Sequence, residues 1–509
     1  MRRCFVMTVL LTLAVAMTGS AAPVQVTDSL GDSTLQRFGP VNVGFGALLS
    51  TGDLTPGEPG NADGSQEVFL LNFRLMNVRQ VTSSAGDASS ANISSREMMV
   101  MASREDLTPG EPGNTDRSFE SYLYDKKKET LTQLSSSSED TFFQTFYDDG
   151  AGALFVSKGD LTPGDPGNPD GENEVFDYDF DTGTWRQLTS SPQESLVRGI
   201  DPKSRYAVIQ SRGDLTPGAP GNADHNPELF MLDIETRDVV QLTDSPGETF
   251  LGTVSRKGRY IAINSNGDLT PGAPGNTDGG YEAYLYDTKT GELRQVTDSP
   301  GDSWFVSFDR KARRMALQSD SSLDPDGPGN ADGSFEVFVY HIGRRTTTQI
   351  TDSDEDAWFM GYEPRKGKWI ALESSGDLAA TGPGNADGST EVFFARLKKN
   401  PAKNRFYQAT DGDEDVEFGG WCPKKRFAAC ETTADLVPGG NLDGSSEVYV
   451  LRSRRKPYVV QLTASAEDSF VGAFSPDGEW LFIESHGDLD PSGPGNADHS
   501  REIYYDRYK

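Results

Sequence analysis

The stretch Gly52–Phe69, GDLTPGEPGNADGSQEVF, decides how the rest of the 509-residue chain is read, because close copies of it return along the whole length. Aligned on the central Asn, the copies fall at Asn61, Asn114, Asn168, Asn222, Asn276, Asn330, Asn385, Asn441 and Asn496, at intervals of 53 to 56 residues. The 486 residues from Val24 to Lys509 hold nine units of 54. Self-similarity at a fixed period marks a repeat architecture. Around Asn276 the pattern predicts four short strands: Thr249–Val254, then Tyr260–Asn264 after the turn Arg256-Lys257-Gly258, then Ala283–Tyr286 after the Gly/Pro loop, and Arg294–Thr297. Short alternating runs between turn residues are an all-β signal. Four strands per unit of this size suit a propeller blade.

The ends predict closure. The fourth-strand signature appears as VQVT at Val24, before any complete unit, and again in units one to eight, from VRQVT at Val78 to VQLT at Val460. The last unit stops after its third strand, Glu502–Tyr505. Val24–Thr27 would then supply the missing outer strand of the last blade and remove the exposed edge of an open array. The expectation is an all-β chain whose residues 22–509 form a single closed β-propeller of nine four-stranded blades.

Residues 1–21 read as a secretory signal peptide: Arg2 and Arg3, the apolar run Phe5–Met17, and small residues up to a cut after Ala21. The mature chain is expected to be secreted or periplasmic, without a membrane span, and monomeric. Cys422 and Cys430 remain; they flank a tight hairpin at an offset that sends them to opposite faces, so two free thiols are favoured over a disulfide. Lys plus Arg number 47 against 78 Asp plus Glu, a net charge of −31, which argues against nucleic acid or an anionic membrane as partner. The 27 Phe, 17 Tyr and 6 Trp argue against a disordered acidic chain.

SPDGEWLFIES (Ser475–Ser485) followed by GNADHSREIYYD (Gly495–Asp506) resembles the TolB-like, WD-related propeller repeat, with its Ser-Pro-Asp-Gly hairpin and its Asp-Gly leading into Glu-Ile-Tyr. The resemblance extends over all nine units, although the hairpin motif degenerates to SRKGRY at Ser255 and CPKKRF at Cys422. The resemblance implies a propeller, usually of six to eight blades, and, by family analogy alone, a periplasmic role in envelope complexes.

In such a ring the second-to-third and fourth-to-first connections share one face, which this sequence makes acidic. The other face receives basic turns such as Arg256, Lys257 and Arg259, Arg310 to Arg314, Lys424 to Arg426, Lys126 to Lys128 and Arg452 to Lys456. Each long loop also carries oxygen-bearing side chains at fixed offsets. A first Asp stands at Asp53, Asp106, Asp160, Asp214, Asp268, Asp377, Asp435 and Asp488, with Ser322 replacing it once. The nine Asn named above follow, and then a second Asp at Asp63, Asp116, Asp170, Asp224, Asp278, Asp332, Asp387, Asp443 and Asp498. A Glu closes the set at Glu67, Glu120, Glu174, Glu228, Glu282, Glu336, Glu391, Glu447 and Glu502. Ca²⁺ takes such oxygens, so these residues form a candidate calcium set. Asp and Asn also cap turns through their own backbone, and that reading stands beside the calcium one.

Catalysis has little support in the residue pattern. His225, His341, His486 and His499 are read as scattered in different units, and no Gly-x-Ser-x-Gly elbow occurs. The leading expectation is a non-enzymatic binding scaffold that presents its acidic face to a protein, peptide or cationic ligand. The alternative is a carbohydrate-active or peptidase-like propeller enzyme, which the many Asp/Glu pairs leave open.

Overall fold

A computed structural model describes residues 22–507 apart from 58–59, 111, 165, 219–220, 273, 380–383, 399–402 and 454–457. Residues 1–21, expected to be a signal peptide, and the basic residues 454–456 lie outside the described residues. The strands form nine four-stranded antiparallel sheets, each made of strands consecutive in the chain except the last. Blade one comprises Ser33–Phe38, Phe45–Ser50, Glu67–Asn72 and Asn77–Gln80. Blade nine takes Ser469–Phe474, Leu481–Ser485 and Glu502–Asp506 from the C-terminus, and its outer strand is Val24–Gln25, with Val24 opposite Tyr505 and Gln25 opposite Tyr504. The chain is a closed nine-bladed β-propeller, joined at its two ends.

The second and third strands of each blade are covered on both sides by neighbouring blades, and their sequences follow from that. Gly152–Ser157 (GALFVS) and Tyr206–Ser211 (YAVIQS) are buried at every position, so they read as near-continuous runs. The first strand is innermost: Ser33–Phe38 meets Ala88–Ile93 of blade two and Ser469–Phe474 of blade nine. Each first strand carries a β-bulge, as between Leu35 and Arg37 or between Phe305 and Ser307, which bends it around the axis. The preceding blade satisfies the backbone beside the bulge. Glu484 accepts from the Leu35 amide at 2.9 Å across the ring junction, and Asn264 accepts from Phe305 at 2.8 Å.

The outer strand is displaced by two residues toward the N-terminus from where the sequence pattern places it. In the blade around Asn276 it spans Glu292–Gln295, and the following Val296 and Thr297 both direct their amides to the Ala283 carbonyl. The Thr of the QVT signature has left the ladder to serve another purpose. Cys422 and Cys430 are free and buried; Cys430 packs between blades seven and eight and Cys422 between blades eight and nine. The two thiols therefore point to opposite sides of one blade.

Candidate functional site

The loop glutamates are the most constrained of the expected site residues. All nine begin a third strand and are at most 1% exposed. Each accepts a hydrogen bond from a backbone amide in the join to the next blade, from Ser84 to Glu67 at 2.7 Å through Ser245 to Glu228 at 2.8 Å to Ser29 to Glu502 at 2.8 Å. The displaced Thr or Ser of the outer-strand signature donates to the same carboxylate, as Thr82 does to Glu67, Ser135 to Glu120, Thr189 to Glu174 and Thr243 to Glu228. Burial pushes the carboxyls of Glu174, Glu228, Glu282, Glu336, Glu391 and Glu502 up to about 7, and those of Glu67, Glu120 and Glu447 above their ordinary value. These side chains clasp one loop to the other on the acidic face.

The other loop residues are turned inward on the loop itself. Asn61 donates its Nδ2 to the carbonyls of Thr51 at 3.1 Å and Ser65 at 2.8 Å, and the other eight Asn repeat the second bond. The first Asp caps a turn, as Asp106 accepts from the Thr108 amide at 3.1 Å. The second Asp caps another: Asp116 accepts from the Ser118 amide at 3.0 Å and its hydroxyl at 2.9 Å. Those bonds, the amide first, hold Asp63, Asp116, Asp332 and Asp387 below the usual carboxylate range. Among the described residues, no group of three or more His, Cys, Asp or Glu side chains converges as a metal site would require.

A second ring of acid was not singled out in the sequence reading, though each member stands immediately before a first strand. Asp32, Asp87, Asp140, Glu194, Glu248, Asp302, Asp356, Asp415 and Asp468 occupy that position in all nine joins. Seven of them accept the amide of the residue preceding a clasp glutamate, for example Phe119 to Asp140 at 2.7 Å and Tyr281 to Asp302 at 2.8 Å. This order places the residue before the Glu beside the second residue of the first strand, at the acidic end of the inner wall. At three junctions, between blades two and three, five and six, and six and seven, both positions are aromatic. Tyr281 stacks on Trp304 at 4.2 Å, Phe335 stacks on Trp358 at 5.5 Å, and Phe119 lies against Phe142 at 5.7 Å. Phe142, Phe250 and Trp358 are 40–43% exposed. Beside Trp358, which pairs with Glu373, a cavity of 410 Å³ is lined by Glu373, Asp415, Glu417, Glu431 and Phe470, where burial raises the Glu373 and Glu431 carboxyls.

The histidines do not assemble a site, but two are closer than the sequence reading placed them. His486 and His499 share blade nine, where the His486 Nδ1 lies 2.9 Å from the His499 carbonyl. Among the described residues no helix is long and apolar enough to cross a membrane.

No family model matches the chain, and no curated protein matches it. Solved structures do. The dipeptidyl peptidase 4 of Porphyromonas gingivalis aligns with 92% of this chain and 66% of its own at 11% identity and a TM-score of 0.50. The oligogalacturonate lyase of Vibrio parahaemolyticus aligns with 83% of this chain and 98% of its own at 12% identity and a TM-score of 0.37. TolB of Acinetobacter baumannii aligns with 67% of this chain and 76% of its own at 15% identity and a TM-score of 0.28. At these identities the likeness is one of fold.

Proposed function

We propose that the chain is a non-enzymatic binding propeller, exported and monomeric, whose ligand is a cationic peptide or protein segment held on the acidic, aromatic rim of the inner wall. One observation carries this reading: large aromatic side chains stand exposed at the centre of the acidic face of a molecule with net charge −31. Arg and Lys gain about 0.5–2 kcal/mol over an aromatic face, and more specificity when a carboxylate stands alongside. The molecule makes the same contact internally, with Arg104 at 4.2 Å over the Phe119 ring and Arg501 at 5.4 Å over Phe470. Titration with an Arg-rich and a Glu-rich peptide tests the reading. The Arg-rich peptide should bind, and Trp358→Ala and Glu417→Gln should each weaken it. Equal binding of both peptides, or variants without effect, would refute it.

Calcium belongs to this reading as a brace for the long loops. The Oδ1 atoms of Asn114, Asn168, Asn222, Asn276 and Asn441 are buried without a hydrogen-bond donor, and a hard cation is a partner that such an oxygen accepts. A ligand that binds only the folded state raises its stability. Millimolar Ca²⁺ should raise the unfolding midpoint and a chelator should lower it; an unmoved midpoint would remove calcium from the proposal.

A second reading, a carbohydrate-active enzyme, is favoured by the 410 Å³ cavity alone. There Glu373 and Glu431 carry raised carboxyls near Glu417, a pairing that suits general acid and base roles. Turnover on a glycan panel that Glu431→Gln abolishes would establish it, and no turnover would leave the binding reading.

A further inference from the structure

The opposite face carries a different device. A groove of 1040 Å³ crosses blades five, six and seven, between the first-to-second turns at 255–260, 309–314 and 365–368 and the third-to-fourth turns at 341–344 and 397–398. Eleven of its nineteen lining residues are Lys or Arg, and a single one, Asp309, is acidic. Arg314 pairs with Asp309 at 3.0 Å and Arg259 with Asp287 at 2.8 Å. By contrast Lys257, Lys311, Arg313, Arg344, Lys366 and Lys368 have no carboxylate within ion-pairing distance among the described residues. His341 stands half-buried among them, held less basic than usual by burial and by Arg314 and Arg344. So many like charges without counter-charges repel one another, and the fold makes no use of them that would offset the cost.

Size and surface chemistry narrow the occupant. A duplex nucleic acid or a bilayer would extend well past the groove into the field of a molecule of net charge −31, within about one Debye length of 10 Å. A single nucleic-acid strand would need aromatic faces on which to stack bases. Here the rings are taken: Arg259 covers Tyr260 at 4.9 Å and Arg314 covers Tyr362 at 5.3 Å. Guanidinium forks and ammonium groups along a bent trough match several oxyanions in succession.

We propose that this groove binds a short, flexible string of oxyanions that carries no aromatic bases, supplied either by an acidic oligosaccharide or by a polyphosphate. The site is independent of the acidic rim and lies on the other face of the ring.

The test uses the full chain, a labelled heparin hexasaccharide, a linear inorganic polyphosphate of matched charge, and a single-stranded oligonucleotide of the same charge, all at low salt. At least one of the first two should bind more tightly than the oligonucleotide, and the tighter of them identifies the source. Lys311→Glu with Arg344→Glu should weaken binding by about tenfold or more, whereas Lys203→Glu with Arg237→Glu, on blade four of the same face, should change it less than about twofold. If thermal unfolding shows the groove pair to be misfolded, Lys311→Ala with Lys366→Ala replaces it, with a smaller loss expected. The proposal is overturned if neither oxyanion chain binds, if the groove and blade-four variants lose affinity equally, or if the oligonucleotide binds as tightly. Salt-sensitive self-association that blocks the probes would overturn it too, by giving the groove to the acidic face of a second copy.

Discussion

The two faces of the ring use charge in opposite ways. On the acidic face the clasp glutamates and loop aspartates recur in every blade, and each carboxylate has an amide or hydroxyl of its own unit to hold. In the basic groove the charges belong to three neighbouring blades, are not repeated in every unit, and mostly lack carboxylate partners among the described residues. A charge that the backbone uses is architecture, and its repetition reflects the repetition of the fold. A charge that nothing in the fold uses is free for a ligand. The contrast warns against reading function from frequency: the most insistent motif in this chain is the one most fully consumed by its own structure.

The contrast breaks most visibly at a clasp. Glu228→Ala strands the Thr243 hydroxyl and the Ser245 amide in a buried setting, so urea unfolding should show a loss of about 3 kcal/mol. A neutral result would mean that the clasps are not architecture. Glu228→Gln, which still accepts, should cost less.

The pH dependence is the next largest effect. Six clasps titrate near 7 when folded, against about 4.3 for a free glutamate. Folding therefore favours the protonated form, and this contribution is complete below about pH 4 and lost as pH rises through about 7. The thermal midpoint should fall between about pH 5 and pH 8, and Glu228→Gln should make the fall shallower. A midpoint that rises across this window would show that the clasps are compensated by something else, a bound cation above all.

Smaller effects sharpen the comparison. Asp116→Ala removes a turn cap on the exposed rim of a loop, and the unfolding midpoint should drop by well under half of the Glu228→Ala change, with Asp116→Asn closer still to wild type because its Oδ1 can accept the Ser118 amide. Lys311→Ala, in the groove, should stay within about 0.5 kcal/mol of wild type, since it has no ion-pair partner to lose among the described residues. Measurable destabilisation there would mean that the groove cations serve the fold after all.

Much of the architecture was legible along the chain because a propeller repeats its local chemistry. The Asn-to-Asn period counts the blades, and the orphan VQVT at Val24 together with the truncated last unit announces the closure seen in the pairing of Val24 with Tyr505. The first three strands around Asn276 were readable to within one residue and the outer one to within two, since its QVT end looks like strand and instead turns toward Glu282. The candidate site was less legible. The loop oxygens were visible, but whether they face a cation or their own backbone depends on bonds across a join between blades, spanning 21 residues for Glu391 and 473 for Glu502 at the ring closure. The acid before each first strand hid inside an already acidic segment, and Tyr281 against Trp304 is a contact between different blades.

The sequence by itself determined the class of fold, the number of blades, the manner of closure and the sign of each face, because each of these follows from local patterns repeated at a constant spacing. Only the tertiary structure decided which charges are spoken for. Glu228 meets Ser245, and Lys257, Arg344 and Lys366 meet one another's fields from three separate blades, because closing the ring brings distant turns together while burial compels some polar groups, and not others, to find a partner.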